Sequence, residues 1–245
     1  MIIINADDFG LNKSCSQAIA FAFSEELVTD TTIMANGEYF DDAVKLAEKH
    51  GFFDKIGIHL NITEGKPLSG EIKSLTDFVT DGHFNKQFSM TRELSDKEKS
   101  AIYKELSAQV EKVEKAGIKI THADSHHYIH NAPFIAPIAE KVCREHGITK
   151  IRLQRNWGKM SDEDKNTANK YKDRISSEGF ITTEFFGRLS EAESSGIPDS
   201  IEFLVHPDFN RNGELIDRHG IKDGFAFGGA IPDLKKTALG NYCDL

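Results

Sequence analysis

A chain of 245 residues, 39% hydrophobic and 28% charged, has an ordinary globular composition with ample material for a core. Its 30 basic and 39 acidic residues leave a formal charge of −9, which excludes non-specific attraction to nucleic acid or an anionic membrane. No run approaches the ~18 apolar residues of a membrane span, and Cys15, Cys143 and Cys243 are too scattered for a CxxC pair or a disulfide framework.

The opening "MIIINADDFG" lacks the basic and apolar regions of a signal peptide, so a cytoplasmic location with reduced thiols is expected. "IIINA" (2–6) reads as a buried strand. A helix is predicted over 14–26, with Ser14 as its N-cap. The β-branched run "VTDTTIMA" (28–35) predicts a second strand. Phe40, Val44 and Ala47 share one face of a helix over 39–50, which Gly51 stops. "KIGIHLNI" (55–62) is a third strand. Residues 63–95 have weak periodicity and carry Pro67, Gly70 and Gly82; they are expected to form a mobile loop over the substrate site. Ile102, Leu106, Val110 and Val113 mark an amphipathic helix over 96–116, ended by Gly117. "IKITHAD" (118–124) is a fourth strand. Pro133 starts a helix to about Glu145. "KIRLQ" (150–154) is a fifth strand, 161–178 is helical, and "FITTEFF" (180–186) and "SIEFLVH" (200–206) complete seven strands. The glycine-rich last forty residues give no clear element.

This alternation predicts one α/β domain over 1–245, an irregular or incomplete (β/α) TIM-like barrel with parallel strands. Sites in such folds lie beyond the carboxyl ends of the strands. There the chain places Asn5, Asp7 and Asp8, then His59 and Asn61, then His122, Asp124 and His126, then His206. Residues 121–130, "THADSHHYIH", hold four of the ten histidines. Taken singly, an Asp pair after a strand is often turn chemistry, and a lone strand histidine is usually a core residue. Imidazoles beside a carboxylate at short spacing, however, form a common divalent ligand set. Alternation would point His122, Asp124 and His126 one way and His127 the other. His126 and His130 would face together if a helical turn begins there.

An Asp/His/His set suits metal-assisted hydrolysis: the ion polarises a carbonyl, a carboxylate takes a proton and a histidine gives one. "INADDFGLN" (4–12), "TTIMANG" (31–37), "IGIHLNITEGKPL" (56–68), "THADSHHYIH" and "LVHPDF" (204–209) together resemble the YdjC-like carbohydrate deacetylases, a group that includes chitooligosaccharide deacetylases. The order matches across roughly 2–210. The resemblance implies an irregular barrel related to the NodB-type polysaccharide deacetylases. It implies an amide hydrolase that removes acetyl from a small N-acetylated carbohydrate, using one divalent ion; the resemblance suggests Mg²⁺, and the two imidazoles make Zn²⁺ chemically plausible. The matching positions would make Asp8, His59 and His126 the metal ligands and Asp7 the base. His206 is expected to be the acid, on the far side of the scissile bond. Asp124 and His130 are expected to support the ligands or touch substrate, and Arg152 to sit near the rim as a substrate-binding residue. No nucleic acid or membrane partner is expected, and self-association into a homo-oligomer is left open. A hydrolase of another amide or of a phosphorylated sugar, and a non-catalytic carbohydrate-binding protein, are the rival readings. From "NRNGELIDRHG" (210–220) onward the chain departs from the family pattern.

Overall fold

Strand β1 (Ile2–Phe9) is buried along its whole length, as a strand covered on both faces of a parallel sheet must be. It lies at the centre of a six-stranded parallel sheet in the order β6-β3-β2-β1-β8-β7. Its neighbours are β2 (Asp30–Ile33) and β8 (Ile201–Val205). Outward lie β3 (Ile56–Leu60) and β6 (Ala123–Ser125) on one side and β7 (Phe185–Arg188) on the other. This computed structural model describes residues 1–85, 92–192, 196–220 and 239–245, together with the backbone of 225–226.

The two outer edges of the sheet meet through residues 150 and 151. Ile151 bridges Ala123 of β6, and Lys150 bridges Ile181, just before β7. The expected strands over 150–154 and 180–186 are therefore reduced to single bridges there. Side chains take over from the ladder: Asn156 accepts from the Phe186 amide at 2.8 Å and donates to the Glu184 carbonyl at 3.0 Å. The result is the irregular barrel the strand–helix alternation predicts, with weak joints between β6 and β7.

Helices α1 (Lys13–Ser24), α2 (Phe40–His50), α4 (Asp96–Lys115), α5 (Ala136–Glu145) and α6 (Asp162–Ser177) connect the strands, with a short α3 (Gly70–Lys73) between β3 and α4. Asn12, not Ser14, caps α1: its side chain accepts from the Cys15 amide at 3.0 Å, while the Ser14 hydroxyl reaches Asp208. Helix α5 starts at Ala136, later than Pro133, with Pro137 in its first turn. Gly51 ends α2 at φ 75°, a conformation that favours glycine. All three cysteines are free. No helix among the described residues is long and apolar enough to cross a membrane.

The described part of the segment after β3 is packed onto the barrel. Residues 63–85 carry the hairpin β4 (Val79–Thr80) and β5 (His83–Phe84), and they bury Ile72 and Phe78 completely. Two buried polar residues of α4, one turn apart, hold this stretch and the end of the segment before it. Glu105 accepts from the Leu68 and Ser69 amides at 3.1 and 2.6 Å, and Gln109 accepts from the Asn61 amide at 2.9 Å. In the sequence, Glu105 and Gln109 fall outside the apolar positions that mark this helix. Residues 86–91 of the expected mobile loop lie outside the described residues.

Two further strands follow β8: β9 (Pro207–Phe209) and β10 (Leu215–Asp217). They form an antiparallel sheet with β11 (Phe225–Ala226). The remaining described stretch, 239–245, returns to the amino ends of the barrel strands: Leu239 bridges Ile2, and the Tyr242 amide donates to Asp30 at 3.1 Å.

Burial pushes the Asp30 carboxyl up to about 7, against the hydrogen bonds from Tyr242 and Thr29 that favour its anion. The folded protein thus binds this proton more tightly than the unfolded chain does. Its contribution to stability is complete below pH ~4 and is lost as the pH rises toward ~7, by at most about 4 kcal/mol. Asp30→Asn should show a smaller decline than the wild type between pH 4 and 7 in urea unfolding. Parallel stability curves for the two proteins would refute the assignment.

Candidate active site

Adjacent residues of a regular strand point to opposite faces, yet Asp7 and Asp8 line the same cavity. A bulge makes this possible. Along β1, Ala6 pairs with Thr31 and Phe9 with Ile33, so β1 carries one residue more than β2. Asp8 takes up the excess at φ 70°, a conformation uncommon outside glycine. The cavity measures about 180 Å³ and is also lined by His59, Ser125, His126, His127, Tyr128, Arg188, His206 and His219. Asp7, Asp8, His59, His126 and His206 therefore meet, although up to about two hundred residues of chain separate them. Asp124, His130 and Arg152 do not line this cavity.

His59 comes from β3. Its Nε2 lies 3.2 Å from Asp8 Oδ1, and its Nδ1 lies 2.7 Å from Asp124 Oδ1 and 3.1 Å from Thr32 Oγ1. Thr32 also donates to Asp124 at 3.0 Å. The ring is thus fixed with Nε2 toward Asp8. Burial opposes the imidazolium, but Asp124 first and then Asp8 and Asp7 outweigh it and push His59 up to about 10. The same carboxylates would stabilise any cation at that face.

His126 Nδ1 lies 2.9 Å from Asp8 Oδ1, and its Nε2 lies 3.2 Å from Glu64 Oε2. The donor atoms of Asp8, His59 and His126 all fall within 4.8 Å of one another. Two carboxylate-oriented imidazoles beside one carboxylate are a donor set that fits a divalent ion. His127 and Tyr128 follow in left-handed conformations, φ 52° and 56°. This kink directs His127 onto Thr63 at 2.9 Å and keeps it at the cavity, where strict alternation would have turned it away. It also breaks the regular turn that would have brought His130 beside His126. His130 is fully buried, with Nδ1 on Ser125 Oγ at 2.5 Å, and burial followed by Arg152 pushes it down to about 3. It supports the turn as a neutral ring. His122 points away too, stacking on Tyr242.

Arg152, expected near the rim, is fully buried and does not line the cavity. It binds Asp7 through both terminal nitrogens at 2.7 Å, Asp124 at 2.6 Å and Glu202 at 2.7 Å. Burial alone would favour neutral Asp7, but Arg152 overrides it and holds the carboxyl at about 2. Asn5 donates to Asp7 at 2.8 Å. Arg152 and Asn5 thus favour the Asp7 carboxylate, which also lines the cavity.

His206 leaves β8 with its amide donating to Asp217 at 3.1 Å. Its Nε2 stands 4.0 Å from Asp7 Oδ2. The ring packs edge-on against His219 at 4.4 Å. The stretch after β9, which gave no readable sequence signal, supplies Asp217, Arg218 and His219. Arg218 donates to Asp8 Oδ2 at 2.5 Å, on the oxygen turned away from the two imidazoles. Sequence reasoning missed all three, along with Glu202; a hairpin after β8 would have been the only clue. Glu64 and Thr32 lay within quoted motifs but carried no assigned role.

Asp124 holds His59, not the His126 with which it shares strand alternation. Asp124→Asn should weaken binding of a divalent ion by about ten- to a hundredfold, read by calorimetric titration. Affinity within twofold of wild type would remove Asp124 from this role.

Residues 1–225 match the family described as YdjC-like protein. A carbohydrate deacetylase of Listeria monocytogenes serotype 4b (strain CLIP80459) is 34% identical over 211 residues, covering 85% of this chain and 81% of its own length. A carbohydrate deacetylase of Brevibacillus brevis is 34% identical over 214 residues, covering 84% and 80%. A crystal structure from Enterococcus faecalis V583, of a protein provisionally named for cellobiose-phosphate cleavage, superposes with a TM-score of 0.72 at 21% identity. It covers 99% of this chain and 97% of that one, which shows a shared fold.

Proposed function

The chain belongs to the YdjC-like family, and on that premise we propose that it is a carbohydrate deacetylase, a metal-dependent hydrolase of the acetamido group of N-acetylated sugars such as chitooligosaccharides. The observation that carries this reading is the pairing of two different environments in one cavity. Asp8, His59 and His126 bring together a donor set that suits a cation, while Asp7, adjacent in sequence, has both its oxygens engaged by Arg152.

Asp8, His59 and His126 would hold the ion, Mg²⁺ or Zn²⁺. When bound, such an ion supplies Lewis-acid polarisation of a carbonyl and makes water more acidic. The protein's own residues then do the following. Asp7 accepts the proton of an attacking water. Its low pKa makes it a weak base, so much of its contribution is to orient that water while remaining ionised. His206, 4.0 Å away, delivers a proton to the departing amine nitrogen, its backbone held by Asp217. Tyr128, half-exposed at the mouth, and Arg188 are the groups a sugar ring meets on entering.

Acetate release from N-acetylglucosamine oligomers, measured before and after chelation, tests the proposal. Release should be lost on chelation and restored by Mg²⁺, Zn²⁺ or Co²⁺. Full activity in the chelated protein would reject the metal-dependent mechanism. The absence of acetate release from any short N-acetylated sugar would reject the function.

A further inference from the structure

We propose that Tyr242, at the amino ends of the barrel strands, is a positioning residue for Asp7, acting through Glu202 and Arg152. The proposal rests on Asp7 being the base in the reading above, and it adds a group from a stretch beyond the family match, which ends at residue 225.

Residues 239–245 are tied firmly to the barrel. Leu239 bridges Ile2, the Gly240 amide donates to the Ile2 carbonyl at 3.0 Å, and Lys150 donates to the Tyr242 carbonyl. The Asn241 side chain accepts from the Cys243 amide at 2.8 Å and closes a short turn. That turn inserts Tyr242 into the barrel, where it is fully buried. Its ring stacks on His122 with centroids 3.6 Å apart and planes 7° from parallel. Gly57 makes room for this stack: a Cβ there would stand 2.6 Å from the His122 ring.

A phenylalanine would fill this volume and keep the stack. What the hydroxyl adds is a hydrogen bond to Glu202 Oε2. The other Glu202 oxygen accepts from Arg152 Nε at 2.7 Å and lies 2.7 Å from Nη2. The terminal nitrogens of Arg152 then reach both oxygens of Asp7 at 2.7 Å. The connection from Tyr242 to Asp7 thus runs through two side chains, both fully buried. Each is held at both ends. With the hydroxyl gone, Glu202 Oε2 becomes a buried acceptor without a partner, a costly state. Glu202 then turns to compete for the nitrogens that hold Asp7. A residue that only plugged the barrel would affect stability and leave the orientation of Asp7 alone.

Tyr242→Phe is the direct test, read in two ways. Turnover should fall about tenfold with KM within twofold, the scale of a residue that orients a catalytic group. In ¹⁵N-labelled, metal-free protein, the Arg152 Nε–H resonance should shift and lose protection from hydrogen exchange. Combining Tyr242→Phe with Glu202→Gln should cost no more turnover than Glu202→Gln alone, because both act on one connection. The proposal is overturned by unchanged turnover, by reduced turnover with an unmoved Arg152 signal, or by additive losses in the double variant. Glu202→Asp, which shortens the same connection with Tyr242 in place, supplies the second variant should Phe not fold; it should move the same two readouts, and leaving either unmoved overturns the proposal. If the wild type releases no acetate, the deacetylase reading fails by itself, and the Arg152 resonance alone decides whether Tyr242 holds the connection.

Discussion

Replacing Asp7 with Asn should lower turnover by about 10²–10⁴-fold, the range in which positioned general acids and bases contribute, while the protein keeps its capacity for a divalent ion. Asn is nearly isosteric and retains one oxygen for Arg152. It loses the negative charge that the buried guanidinium is arranged to face, and with it the ability to accept a proton. Asp8, His59 and His126 supply their donor atoms without help from Asp7, so metal binding should persist. Steady-state kinetics beside metal analysis of the purified variant separates the two roles. Loss of the ion in Asp7→Asn, with retention in Asp8→Asn, would exchange their assignments. Turnover within tenfold of wild type would leave Asp7 without a role in proton transfer.

Arg152→Met should destabilise the protein by about 3–5 kcal/mol, the usual consequence of stranding buried charge by removing one partner. The variant would leave Asp7, Asp124 and Glu202 buried with their shared cation gone. Met approximates the volume, so the loss is electrostatic and not a cavity effect. Such a loss is a large part of the ~5–15 kcal/mol that usually separates native from unfolded protein. It also frees Asp7 and Asp124, so activity should fall together with stability. Denaturant unfolding at neutral pH measures the first and acetate release the second. A midpoint and slope unchanged from wild type would show that the three carboxylates are neutralised in some other way.

These two expectations draw on different sources of information. Strand patterning brought Asp7, Asp8, His59 and His126 to one rim with several other polar residues, and the resemblance to the YdjC-like family singled these four out. Apolar runs mark strands, and polar residues at the carboxyl ends of parallel strands converge on one rim. Asp7 and Asp8 were legible as a pair, but their sharing one cavity was not. That depends on a bulge and a positive φ at Asp8, which follow from pairing with β2 and not from local composition.

Arg152 shows the limit most clearly. A strand arginine in "KIRLQR" has no signature that separates a rim residue from a buried one, because burial of a charge depends on partners supplied elsewhere. Here those partners are Asp7, Asp124 and Glu202, from three other strands. The docking of 63–85 by Glu105 was hidden for the same reason, since a buried polar helix position and a solvated one have the same spacing. So was the arrival of Asp217, Arg218 and His219 at the cavity, which needs the turn from β8 into the antiparallel β9–β10 pair. The sequence by itself determined the central parallel strands and the long helices, because burial of apolar periodicity is a local property. Only the tertiary structure decided which charges are buried against one another, because a pairing energy exists only once distant strands have brought both partners to the same place.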